Sequence, residues 1–145
     1  MIGTSRDQVV VALLFVGRHL LDVALREVRS EGAGLTTAET ALLLTLRAFP
    51  ASSQTDLVHI VGRDKTTLSR TVSRLESAGF LTERIDPVDG RRKTLELTDR
   101  AQGIVVQALE AVTEQLDRAA ASLSPDQEIA CLRLIEELMG ELSVV

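Results

Sequence analysis

At 145 residues, 45% of them apolar, and a formal net charge of −5, the chain holds enough hydrophobic content for one cored domain, which excludes disorder. With no Trp or Tyr and three Phe, that core must be aliphatic, as suits packed helices. A single cysteine excludes an intramolecular disulfide, and two histidines without metal-ligand spacing give no case for a metal or other cofactor.

Residues 6–31 carry a helical pattern. Val10, Leu13, Leu14, Gly17, Leu20, Leu21, Ala24, Leu25 and Val28 recur at three and four spacing, against a polar stripe of Arg18, Asp22, Arg26 and Arg29. Asp22 and Arg26 are spaced for an i,i+4 ion pair. Val9, Val11, Ala12, Phe15 and Val16 fill the other faces, so the first turns demand burial on more than one side, and a second subunit is the expected cover. The longest uncharged apolar run, Val9–Gly17, is nine residues, against the roughly 20 that cross a bilayer. With no leader sequence apparent, the expectation is a soluble, cytoplasmic protein with no membrane partner.

Gly32 and Gly34 close that helix, and Thr36-Thr37-Ala38-Glu39 is a capping box opening a second one over about 37–47. After Pro50, a short helix is expected at about 54–61, with Leu57, Ile60 and Val61 inward. Gly62 then marks a tight turn before a basic helix at about 64–77. Ala78-Gly79 stops that helix. Phe80–Ile85 and Lys93–Thr98 read as strands, the second with Leu95 and Leu97 alternating against Thr94, Glu96 and Thr98. Asp86-Pro87-Val88-Asp89-Gly90-Arg91 between them is a turn-rich hairpin tip. Two further helices follow, at about 99–122 (Val105, Leu109, Val112, Leu116, Ala119, Ala120, Leu123 apolar) and 125–142 (Ile129, Leu132, Ile135, Leu138, Met139, Leu142). Ser124-Pro125-Asp126-Gln127 supplies the restart between them. Cys131 falls on the last apolar stripe, where a buried structural thiol is expected.

The stretch with chemistry in it is the basic helix. Leu68, Val72 and Leu75 share one face, which leaves Lys65, Thr66, Ser69, Arg70, Ser73 and Arg74 on the other, with Arg63 and Thr67 beside them. Short hydroxyls and long cations are the side chains that reach base edges and phosphates in a major groove. A second basic cluster, Arg91-Arg92-Lys93, stands at the hairpin. From Gln54 to Lys93 there are eight Lys/Arg against six Asp/Glu, whereas the rest of the chain has eight against fifteen. Local charge rather than net charge governs contact with phosphate, so the acidic remainder is no bar to DNA. The fold class expected is mainly α with a small β-hairpin wing: a winged helix-turn-helix lobe at 33–98, and a helical dimerisation region from 1–32 and 99–145.

The order of helices, the Leu75-Glu76-Ser77-Ala78-Gly79-Phe80-Leu81 junction and the Asp86-Pro87-Val88-Asp89-Gly90-Arg91-Arg92-Lys93 wing leading to Leu97-Thr98 resemble the MarR family of bacterial transcriptional regulators. The resemblance implies a homodimer on double-stranded DNA, in most cases a repressor. It also implies a small-molecule effector site between the dimerisation region and the DNA-binding lobe. In the family pattern Asp89 helps to hold Arg91, and Arg91 reaches into the minor groove. Gly90 stands where the family usually has Arg, which removes a phosphate contact and is expected to loosen the tip. The scarcity of aromatic residues sets the chain apart from relatives with aromatic-rich pockets.

Arg63, Lys65, Thr66, Thr67, Ser69, Arg70, Ser73, Arg74, Asp89, Arg91, Arg92 and Lys93 are therefore the candidate DNA-binding residues. Arg18 and His19, adjacent on the first helix, are candidates for an anionic effector. No phosphate loop, nucleophile elbow or metal cluster points to an enzyme. The competing reading is a winged-helix module whose basic face binds an acidic protein, although such a module has no need of Asp89 and Arg91 at a wing tip.

Overall fold

The computed structural model describes residues 5–141, and Leu142, expected on the last apolar stripe, lies outside them. The elements are α1 (Arg6–Ser30), α2 (Thr37–Ala48), α3 (Gln54–Val61), α4 (Lys65–Ser77), β1 (Leu81–Ile85), β2 (Lys93–Leu97), α5 (Asp99–Ala120) and α6 (Pro125–Glu141). Side-chain caps account for their starts. Ser5, Thr36 and Ser53 each accept from the amide three residues on, and Gln8, Glu39 and Asp56 reach back to close three capping boxes. Ser124 and Gln127 bond reciprocally in the same way ahead of α6.

The end of α4 fixes how the chain enters the wing. Gly79 sits at φ 76°, where a Cβ would be strained, while its N–H bonds Glu76 O and the Phe80 N–H bonds Leu75 O. This double closure drops the Phe80 ring into the core, and Arg100 of α5 lies over it at 4.4 Å while donating to the Ala78 carbonyl.

β1 and β2 pair antiparallel, with Leu81 opposite Leu97 and Ile85 opposite Lys93. The Leu95 N–H also donates to Ser52 O at 2.9 Å, so the segment between α2 and α3 lies along the free edge of β2. The expected alternation on β2 holds only in part. Leu95 is buried, Leu97 is half-buried and Thr94 is buried too, because the strand is flanked by α2, α3 and α5 and neither face is fully open.

One continuous core joins the wing lobe to the first half of α5. Leu42, Leu43 and Leu46 of α2, Leu57 of α3, Leu68, Val72 and Leu75 of α4, Phe80, Leu81 and Leu95 meet Ala101, Ile104, Val105 and Ala108, with Ala24 and Val28 of α1 added by its packing on α5.

Beyond this core the apolar pattern is uncovered. Val9, Val10, Val11, Leu13, Leu14, Phe15 and Val16 of α1 are exposed, as are Leu109, Leu116 and Leu123, and Ile129, Leu132, Leu134, Ile135 and Leu138 of α6. Cys131 is exposed in the single chain as well, where no other element of the described chain packs extensively on α6. By length and composition α1 is apolar enough to cross a membrane, more so than its nine-residue uncharged run suggests. Its C-terminal half, however, is committed to protein, with Val23, Ala24, Leu25 and Val28 all buried.

Candidate nucleic-acid interface

The α3–α4 turn positions the candidate interface. Gly62 at φ 65° ends α3 in the left-handed region, and Asp64 then caps α4 by accepting from the Thr67 N–H at 2.9 Å. This seats Leu68, Val72 and Leu75 in the core and leaves Lys65, Thr66, Thr67, Arg70, Ser73 and Arg74 exposed, with Ser69 half-buried. Lys65, Thr66, Ser69, Arg70 and Ser73 line a shallow hollow along the outer face of the helix. Arg63, just before the cap, is exposed too.

The wing tip is held by its own aspartates. Asp86 Oδ1 accepts from the Val88 and Asp89 N–H groups, and Asp89 Oδ1 accepts from the Arg91 N–H at 3.1 Å. The Asp86 N–H to Arg92 O and Arg92 N–H to Asp89 O bonds, both 2.8 Å, close the loop. The tip is thus more firmly built than Gly90 leads one to expect. Asp89 does hold Arg91, through its main chain rather than its guanidinium.

The cations fall into two groups. Among the described residues, Arg63, Lys65, Arg70 and Arg91 form no ion pair, whereas Arg74, Arg92 and Lys93 each do. Arg74 Nε lies 3.0 Å from Glu39 Oε1, and the Glu39 side chain is only 4% exposed. Arg92 bonds Asp56 of α3 and lies 4.0 Å from Asp86, and Lys93 pairs with Glu83 across the hairpin. Nothing in the local sequence announces these partners.

Asp56 accepts from the Ser53 N–H, the Ser53 hydroxyl and Arg92. The Ser53 amide above all, then its hydroxyl and Arg92, holds the Asp56 carboxyl below its ordinary value of 3.8 against the opposing effect of desolvation. A depressed folded-state pKa adds stability above the unfolded value, which is lost as pH falls through the lower folded one. A carbon-13 titration of the Asp56 carboxylate should therefore give a midpoint below 3.8. In Arg92→Gln it should rise only part of the way, because the Ser53 amide remains. A wild-type midpoint at or above the ordinary value would remove the pair from solution.

Arg18 and His19 are exposed on α1. Arg18 Nε lies 3.7 Å from Asp22, so the Asp22 carboxylate pairs with Arg18 instead of the expected Arg26, which donates to the Asp22 carbonyl. The hollow at the junction of α2 and α5 is lined by Arg47, Val106, Leu109, Glu110, Thr113 and Glu114, and neither Arg18 nor His19 is among them. Among the described residues no group of three His, Cys, Asp or Glu could hold a metal ion.

A three-helix lobe with a cationic third helix and a paired hairpin defines a winged helix-turn-helix. Residues 33–92 match the MarR family. The chain is 30% identical to the PcaV transcriptional regulator from Streptomyces coelicolor, solved in complex with its natural ligand, over 73% of this chain and 75% of that one, with a TM-score of 0.51. It is 29% identical to a crystal structure of MarR over 94% and 92% of the two chains, with a TM-score of 0.69. A MarR family regulator from Listeria monocytogenes complexed with a 26mer DNA shares the fold at a TM-score of 0.73, with 16% identity over 92% and 88% of the two chains. The chain belongs to the MarR family of DNA-binding transcriptional regulators, and is not an enzyme.

Proposed function

We propose that the protein is a homodimeric repressor that binds a pseudo-palindromic operator, with α4 in the major groove and the wing in the minor groove. The observation that carries the reading is that four of the seven candidate cations are left free. Arg63, Lys65, Arg70 and Arg91 form no ion pair among the described residues, and all four sit on the recognition helix, its lead-in or the wing tip. Thr66, Ser69 and Arg70 are assigned to base edges, Arg70 to a guanine, and Lys65 and Arg63 to phosphates. Arg91 enters the minor groove and favours narrow, A/T-rich sequence.

One such lobe buries little surface on DNA, so specificity calls for two copies about one helical turn apart, roughly 34–36 Å. The uncovered apolar faces of α1 and α6 support a dimer built from residues 1–32 and 99–145, with 33–98 as the DNA-binding lobe. The site of action is the cytoplasm, where a bacterial regulator meets its operator. A small ligand lodged between the lobes, as at the α2–α5 hollow, would act by preferring one spacing of the two DNA-binding lobes over another. About a tenfold preference shifts that balance by about 1.4 kcal/mol.

The test is selection of genomic fragments by the purified protein, followed by titration of the enriched duplex at two salt concentrations. A palindrome bound by a dimer with a steep salt slope is the expected result, since several phosphate counterions are displaced. Absence of enrichment together with a shallow slope on any duplex would transfer the basic face to an acidic protein partner.

A further inference from the structure

Two of the cations on the DNA-facing surface are engaged in the same unusual way. Glu39 and Asp56 are the third-position carboxylates of the capping boxes that start α2 and α3. Each already accepts from its own cap residue: Glu39 Oε2 from the Thr36 N–H and hydroxyl, Asp56 Oδ2 from the Ser53 N–H and hydroxyl. Each then receives one arginine from a DNA-facing element, Arg74 from α4 and Arg92 from the base of the wing. We propose that Arg74 and Arg92 are positioning residues, the first locking the recognition helix to α2 and the second locking the wing to α3. On this view they fix the distance and tilt between the two probes instead of neutralising phosphates. The proposal rests on the assignment of α4 and the wing to DNA.

The geometry favours positioning for three reasons. A capping carboxylate is immobilised by its own helix, so the arginine it holds is tied to a fixed point rather than to a mobile side chain. Glu39 is almost wholly buried, and a buried carboxylate left without its cation is costly, so Arg74 is not readily released to follow a phosphate. Arg92 is tied at both ends, its guanidinium on Asp56 and its main chain bonded to Asp86 and Asp89. The two anchors belong to the two helices that support α4, so together they define a rigid frame around the recognition helix.

The two roles differ in the sign of one effect. If Arg92 served as a phosphate contact, removing Asp56 would free a cation and delete an anion, and DNA would bind as tightly or more tightly. If Arg92 acts through Asp56, the same deletion weakens binding although the protein has become more positive. The experiment is a double-mutant cycle on the full-length protein, using Asp56→Ala, Arg92→Ala and the double variant. Affinity for the selected duplex and for a mixed-sequence duplex is read against salt, with thermal unfolding as a check on folding. The expected result is a loss of about fivefold for each single variant on the selected duplex, the upper range for a partly exposed pair. The double variant should be no worse, and the salt slope should not change. Glu39→Gln and Arg74→Gln provide an independent pair, because one amide oxygen cannot replace the two carboxylate oxygens that Glu39 uses.

Undiminished binding by Asp56→Ala, with Arg92→Ala lowering the salt slope by about one, would overturn the proposal for the wing. The same pattern at Glu39 and Arg74 would overturn it for α4. Arg70→Ala and Arg91→Ala serve as controls. If neither weakens binding, the assignment of α4 and the wing to DNA fails and the clamps fail with it. If both weaken it while the carboxylate variants do not, the clamps alone are wrong.

Discussion

Phe15→Asp should convert the protein from dimer to monomer and cost at least about a hundredfold in operator affinity, the scale of avidity lost when two half-sites are no longer engaged together. Leu14 and Phe15 are 68% and 69% exposed in the single chain, and Val9, Val10, Val11, Leu13 and Val16 surround them. Those seven positions run round the whole circumference of α1, so no single surface of the same chain covers them. Each large apolar side chain taken from water contributes about 1.5–3 kcal/mol, and an aspartate placed among them must be desolvated without a partner. The Leu42–Leu57–Val72–Phe80 core lies elsewhere and should survive. Light scattering at micromolar concentration with circular dichroism checks both halves. A folded dimer with wild-type affinity would mean that the exposed face of α1 has some other cover.

Arg70→Ala should have the next largest effect, a loss of about 1–3 kcal/mol on the operator together with relaxed preference at one base pair. Arg70 is exposed, forms no ion pair among the described residues and shares its hollow with Lys65, Thr66, Ser69 and Ser73. A guanidinium in that position can give guanine two parallel hydrogen bonds, which no other base accepts in the same geometry. Lys65→Ala makes the contrast: as a phosphate contact it should weaken all duplexes alike and lower the salt slope by about one. Titration against a duplex set varied one base pair at a time separates these two patterns. Equal losses across all sequences for Arg70→Ala would reassign it to the backbone.

Local chemistry made most of the fold legible in the sequence. The capping box at Thr36, the turn-marking Gly62 and Gly79, and the Asp-rich hairpin are signals contained within a few residues. Periodicity likewise gave the buried face of α4 and Leu57 of α3, whereas Ile60 and Val61, also expected inward, are only half-buried. What it cannot give is whether an apolar stripe is covered by its own chain. Cys131 was expected inside for that reason, yet α6 finds no extensive cover in its own chain.

The candidate site was legible as a cluster of cations, but which of them are engaged by carboxylates was not. Arg63, Lys65, Arg70, Arg74, Arg91, Arg92 and Lys93 are all cations near the recognition helix or wing, and composition treats them alike. Only three-dimensional proximity separates the engaged from the free, as when Arg92 meets Asp56 from 36 residues away. On α1, Asp22 has arginines four residues away on both sides; its carboxylate pairs with Arg18, while Arg26 donates to its carbonyl.

The aspartate-bound wing tip has a consequence for how a groove is sensed. With the amides of Val88, Asp89 and Arg91 already bonded to Asp86 and Asp89, the loop surrenders its conformational freedom during folding, not on meeting DNA. A stiff finger loses little entropy on insertion, but it cannot reshape itself to suit a groove of the wrong width. On the proposed assignment of the wing to the minor groove, it works as a fixed gauge: sequences whose groove already matches it are accepted, and the rest must bear the elastic cost of deforming to fit.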